Sequence, residues 1–132
     1  MIIIIGGAFQ GKKQYAERVT GIPGDQMTDG ADCSLEEIYS CQCLYHFHEW
    51  VRRKLPDIKD YEQEARKIFE ANPELVLIAN ELGCGVVPAN AFDRNFRETE
   101  GRLLTCLAGM SSEVHRVVCG IGTVIKGLSE DT

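Results

Sequence analysis

The chain is short of basic residues, prolines and long apolar runs, and each shortage excludes a class of protein. Lys and Arg number 14 against 20 Asp and Glu, a formal charge of −6, so there is no basic face of the kind a general nucleic-acid binder needs. Four prolines and no repetitive tract in 132 residues argue against a disordered or linker-rich chain. No apolar run approaches the length that spans a bilayer, which excludes a helical membrane protein. The opening Met1–Ile5 lacks a charged leader and is cut off by Gly6-Gly7, so it does not read as a signal peptide. A cytoplasmic protein is expected, and its six cysteines then read as thiols and not as a disulfide framework. Cys84, Cys106 and Cys119 sit among apolar or glycine-rich neighbours, where cysteine serves as a small hydrophobe. Length and a hydrophobic fraction of 44% suit one domain over 1–132 with a polar tail at about 128–132.

What is present alternates between two periods. Ile2–Ile5 is an unbroken β-branched run, the pattern of a strand buried on both faces. A turn over Gly6–Gln10 follows, then a helix over Lys12–Val19 that Gly21-Ile22-Pro23-Gly24 ends. Gln26–Thr28 suggests a short second strand. Ser34 with Glu37 reads as a capping box, opening an amphipathic helix that runs to about Leu55 before Pro56. A second amphipathic helix spans Tyr61–Ala71, a buried strand Leu75–Ala79, a long helix Phe92–Met110 and a last strand Val114–Cys119. Strands alternating with helices imply an α/β fold: three layers, a mainly parallel sheet and helices on both faces. Ligands bind such sheets at the carboxyl ends of the strands, the edge where Gly6-Gly7, Asn80-Glu81 and Gly120-Ile121-Gly122 are expected.

One motif at that edge carries chemistry. Gly6, Gly7, Ala8, Phe9, Gln10, Gly11 and Lys12 fit GxxxxGK between a buried strand and a helix, the setting of a phosphate-binding P-loop. Glycines turn backbone N–H groups toward an anion, the helix adds its positive end, and Lys12 reaches the terminal phosphates of ATP or GTP. The plainer reading is a glycine-rich turn bearing two solvated lysines. Lys13 stands where a Ser or Thr hydroxyl ordinarily ligates Mg²⁺. An ammonium has no lone pair and repels the metal, so Mg²⁺ is expected to be held weakly.

Other candidates compete with structural roles. Glu81, the first acid after its strand, suits a metal-orienting or proton-accepting carboxylate, or a brace for the glycine-rich loop. Asp29 and Asp32 flank a strand end where P-loop enzymes hold a second carboxylate, and Asp32 suits a turn. Cys41, Cys43, His46 and His48 resemble a metal cluster in text only. On one helix, Cys41 and Cys43 would stand about 200° apart and could not share an ion. Arg97 and Arg102 are phosphate-contact candidates that Glu98 and Glu100 would otherwise pair.

Gly6-Gly7-Ala8 and Gly11-Lys12, with Asn80-Glu81-Leu82-Gly83-Cys84-Gly85-Val86-Val87-Pro88, Phe96-Arg97, Gly101-Arg102 and Val118-Cys119-Gly120-Ile121-Gly122, resemble the cobinamide kinase/cobinamide-phosphate guanylyltransferase family of cobalamin biosynthesis. The resemblance covers about Met1–Glu17 and Leu75–Lys126. It implies a P-loop NTPase-like fold, a nucleotide and a cobinamide as ligands, and assembly as trimers. It also implies a kinase in which Lys12 stabilises the transferred phosphoryl and Asp29 or Glu81 orients metal or nucleophile. Family members carry a longer segment after the first helix, holding a histidine that becomes guanylylated. Neither His46 nor His48 has that motif around it. The expectation is therefore a reduced, kinase-like protein, or a non-catalytic nucleotide- or corrinoid-binding module of the same descent.

Overall fold

The computed structural model describes residues 1–81 and 90–127. Its framework is a six-stranded sheet in the order β2-β3-β4-β1-β5-β6. The strands are β1 Ile2–Gly6, β2 Thr28–Asp29, β3 Cys43–Tyr45, β4 Val76–Asn80, β5 Glu113–Val118 and β6 Ile121–Lys126. All neighbours pair in parallel except β5 and β6, which form an antiparallel hairpin. The helices are α1 Lys12–Thr20, α2 Phe47–Lys54, α3 Tyr61–Ala71 and α4 Ala91–Met110. This is the expected three-layer, mainly parallel α/β fold.

The isoleucine run makes β1 an inner strand because alternate residues feed two cores. Ile3 joins Leu77, Leu44, Trp50, Ile68 and Leu103 beneath α2, α3 and α4. Ile4 joins Ile78, Val117, Tyr15 and Ala16 beneath α1. A strand buried on both faces gains from β-branched side chains at every position. The helix α1 is also tied to β5 by polar contacts. Tyr15 donates its hydroxyl to His115 Nδ1 at 2.6 Å, and His115 Nε2 donates to Glu113 at 2.8 Å.

The segment 34–55 departs from the expected single helix. Ser34 caps a 3₁₀ turn over Leu35–Tyr39, accepting from the Glu36 amide and not in the Glu37 pattern of a capping box. The chain then extends into β3 before α2 begins. Cys43 is buried in one core and Leu44 in the other, so the apolar pattern there is two-sided strand burial that mimics a helical stripe. Thr28–Asp29 replaces the expected Gln26–Thr28, and β6 was not foreseen. Glycines at 120 and 122 suggest an end, yet they lie at the turn and within the returning strand of a hairpin. The Leu82–Pro88 part of the family motif, Cys84 and the tail at 128–132 fall outside the described residues.

One buried acid is unusual. Glu100 of α4 is 1% exposed, its Oε2 has no hydrogen-bond partner among the described residues, and burial pushes its carboxyl up to about 8.

Candidate functional site

Parallel pairing sets Gly6 opposite Asn80, and the Glu81 amide continues the ladder by donating to the Gly6 carbonyl at 2.9 Å. The chain leaves β1 into the 7–11 turn and enters α1 at Gly11, whose φ of 82° is a left-handed conformation natural to glycine. Lys12 is buried, and its ammonium folds back across the turn to donate to the Gly7 carbonyl at 2.7 Å. Burial lowers its pKa from the ordinary lysine value, while the nearby Glu81 carboxylate acts to raise it. The β5–β6 turn closes on the loop from above. The Gly120 amide donates to the Gln10 carbonyl at 2.8 Å, and the Cys119 amide to Gln10 Oε1 at 2.6 Å.

A cavity of about 860 Å³ opens at this edge of the sheet. Residues Ala8 to Lys13 line one wall, Tyr45, His46 and His48 another. Lys12, Lys13 and Arg18 all line it, and among the described lining residues none is acidic. A chain of charge −6 thus keeps a locally cationic cavity, a field that attracts a polyanion. Lys13 places its ammonium 4.1 Å above the Tyr45 ring centroid, a cation–π contact that holds the charge at the cavity wall.

Of the carboxylates singled out from the sequence, Glu81, Asp29 and Asp32, none is on the cavity lining, and Glu81 and Asp29 lie beside it. Glu81 pairs with Arg116 Nε at 2.9 Å, the bracing geometry. Asp29 Oδ1 accepts from the Ala31 amide at 2.9 Å and meets His46 Nδ1 at 2.8 Å. Burial acts to raise the Asp29 carboxyl, but the Ala31 amide and His46 outweigh it and leave it below its ordinary value. Arg102 pairs with Glu98 at 3.1 Å on the surface of α4.

The Cys–His group does not share one helix: of its members His48 lies in α2 and His46 caps it. Cys43 lies on β3, and burial pushes its thiol up to about 12 and that of Cys41 to about 11. Thiols so disfavoured as thiolates are poor ligands, and among the described residues no group of three or more His, Cys, Asp or Glu is placed to hold a metal. His48 is mostly buried, which lowers its pKa and leaves Nδ1 without a partner among the described residues.

Sequence reasoning missed Arg18, Tyr45 and His46 as members of this site. No motif marks them: Arg18 lies along α1 beyond the loop, and β3, which carries Tyr45 up to His46, reaches the loop only through sheet order. One structural signal does mark the edge. The non-glycine residues with positive φ among those described are Phe9 (62°), His46 (57°) and Cys119 (52°). Phe9 and His46 line the cavity, and Cys119 precedes Gly120, which also lines it. Such conformations cost energy and gather at ligand sites.

A family model described as cobinamide kinase / cobinamide phosphate guanyltransferase matches residues 38–125, a stretch that begins after the Gly6–Lys13 loop. The bifunctional adenosylcobalamin biosynthesis protein CobU of Salmonella typhimurium is 47% identical over 53 residues, 40% of this chain and 29% of that protein. The CobU protein of Escherichia coli is 45% identical over 180 aligned positions, covering 96% of this chain and 99% of that protein. This chain has 132 residues, so the second alignment crosses positions for which it has none.

Proposed function

The chain belongs to the cobinamide kinase / cobinamide phosphate guanyltransferase family, and from that premise we propose that it binds ATP or GTP at Gly6–Lys13 and phosphorylates the aminopropanol hydroxyl of a cobinamide in cobalamin biosynthesis. The observation that carries this reading is the Lys12 ammonium, closed over the turn onto the Gly7 carbonyl at the end of an inner parallel strand. An anion entering the turn offers Lys12 a better acceptor than that carbonyl, and the α1 N-terminus adds its positive end. Lys12 then neutralises charge on the transferred phosphoryl, with Lys13 and Arg18 as the further cations of the cavity. The exposed apolar residues Ile121 and Ile125 on the outer strand β6 suit assembly into a homo-oligomer. No described helix is long and apolar enough to cross a membrane.

Lys13 does not fit a Mg²⁺ ligand, since its ammonium has no lone pair and rests on Tyr45. That mismatch favours the second reading, a nucleotide- or corrinoid-binding module without turnover. Titration of the protein and of Lys13→Ser with ATP and GTP, with and without Mg²⁺, separates the two. The natural protein should bind triphosphate with little Mg²⁺ dependence, because one charge-assisted contact contributes about 1.5–3 kcal/mol. Lys13→Ser should make binding metal-dependent and raise turnover. Binding by neither form at millimolar nucleotide defeats the P-loop reading.

The guanylyltransferase half of the family's activity is, in this reading, lost. The support is the alignment that outruns this chain, together with the setting of the two cavity histidines. His48 is mostly buried, and neither His46 nor His48 has the family's histidine motif around it. Incubation with GTP followed by intact-mass measurement should show no added GMP, and a stable adduct on either histidine refutes the loss.

A further inference from the structure

Phosphoryl transfer to an alcohol needs a group that takes the hydroxyl proton, and the cavity restricts the choice. Lys12, Lys13 and Arg18 are cations, and among the described lining residues no carboxylate is present. Residues 82–89, outside the described set, contain no acid and no histidine, and the tail at 128–132, also outside it, contains Glu130 and Asp131. Glu81 is paired with Arg116. Two imidazoles remain on the described lining. His48 is the poorer, with Nδ1 buried and Nε2 turned toward Glu49 at 3.5 Å.

His46 is different in every respect that matters. Its side chain is 48% exposed and lines the cavity. Its Nδ1 lies 2.8 Å from Asp29 Oδ1. An ionised carboxylate has no hydrogen to give, so Nδ1 carries the hydrogen and donates it. In the neutral ring this leaves the lone pair on Nε2, which has no partner among the described residues. The backbone holds the ring in place at some expense. His46 adopts a left-handed conformation at the junction of β3 and α2, where its carbonyl accepts from the Glu49 amide at 2.9 Å. Gly30 locks the far side. Its amide donates to the Tyr45 carbonyl at 2.8 Å, and a Cβ at Gly30 would meet the His46 carbonyl oxygen at 2.7 Å. The ring also packs against Tyr45, tilted by 58° with centroids 4.7 Å apart, and the Tyr45 ring carries the Lys13 ammonium.

We propose that His46, positioned by Asp29, is the catalytic base that accepts the proton of the acceptor hydroxyl, on the wall of the cavity shared with the Lys12 loop. This rests on the phosphotransferase reading above. The step balances without a further reactant. The hydroxyl oxygen forms a bond to the γ-phosphorus while its proton passes to His46 Nε2. The bond from that phosphorus to the β-bridging oxygen breaks, and the nucleoside diphosphate leaves with the electron pair. His46 then releases the proton to solvent. His46 touches the reacting hydroxyl, whereas Asp29 acts through His46 and is a positioning residue.

The test measures transfer from ATP and GTP to cobinamide, hydrolysis to water in the same samples, and nucleotide affinity. His46→Asn removes the imidazole while tolerating the left-handed backbone, and His46→Gly leaves both that backbone and room for added imidazole. His46→Asn should lower kcat about 100-fold or more with nucleotide affinity unchanged, and imidazole should restore part of the activity of His46→Gly. Asp29→Asn should lower kcat with nucleotide KM and the number of nucleotide-binding sites per chain both unchanged, a combination that a loss of folded protein would not give. If the natural protein phosphorylates cobinamide and His46→Asn does so equally well, the base is overturned and the kinase reading stands. If cobinamide is not phosphorylated but nucleotide is hydrolysed, and His46→Asn abolishes that hydrolysis, the acceptor is wrong and the base stands, acting on water. If nucleotide binds but is neither transferred nor hydrolysed, the base is overturned in favour of the binding module.

Discussion

Glu100→Gln should flatten a decline in stability of about 3–4 kcal/mol that the natural protein shows between pH 5 and pH 8. The Glu100 carboxyl is raised by burial from its ordinary 4.5 to about 8. Between those values the folded state keeps a proton that the unfolded chain has lost. The folded state therefore binds more protons, and stability must fall as pH rises through that window, by about 1.4 kcal/mol per unit at most. Below pH 4.5 both states are protonated and the penalty vanishes. Above pH 8 the carboxylate is charged in both, and the full penalty remains. Glutamine has nothing to titrate there. Its amide needs partners in a place where Glu100 Oε2 has none among the described residues, which costs about 1–3 kcal/mol. The level of stability at one pH is thus a poor readout, and the slope is the decisive one. Urea midpoints from pH 4.5 to 8.5 for both proteins measure it. Equal slopes would show that Glu100 is solvated or paired in solution.

The sequence made legible whatever depended on local pattern. β1 could be read because a four-isoleucine run has few other uses, and α1 and α3 because glycine, proline and apolar period agreed at their ends. The 34–55 segment could not, because Cys43-Leu44 sends side chains into two cores that are defined only once β3 is seated beside β4. The same dependence hid half of the site. The Gly6–Lys12 turn is contiguous and its mechanism is written in its spacing. Tyr45 and His46 meet it only because β3 lies beside β4 and ends at the same edge as β1, and Asp29, singled out in the sequence, stands beside it through His46. Lys13 illustrates the difference well. Its misfit as a metal ligand is visible in the sequence, whereas its seat on Tyr45 needed sheet order.

Lys12→Met should reduce triphosphate affinity by about 100-fold, equivalent to about 3 kcal/mol, while leaving the fold as stable as before or more so. The two halves of this expectation have one cause. Lys12 is 8% exposed, and burial lowers its pKa chiefly because removing an ammonium from water is unfavourable. The nearby Glu81 charge and the 2.7 Å bond to the Gly7 carbonyl offset only part of that cost. A methionine keeps an unbranched apolar stem of similar reach in the same space and carries no charge to desolvate. The free protein therefore loses an unfavourable burial along with one hydrogen bond. The nucleotide-bound protein loses the ammonium that faces the terminal phosphates, where charge-assisted contacts are each worth about 1.5–3 kcal/mol. A residue whose cost falls on the unliganded state and whose benefit falls on the complex is what a binding site requires and a core does not. Calorimetric titration with ATP and GTP measures the first half, and urea unfolding without nucleotide the second. A variant that binds nucleotide as tightly as the natural protein would remove Lys12 from the site. One that loses stability and affinity together would make it a structural lysine.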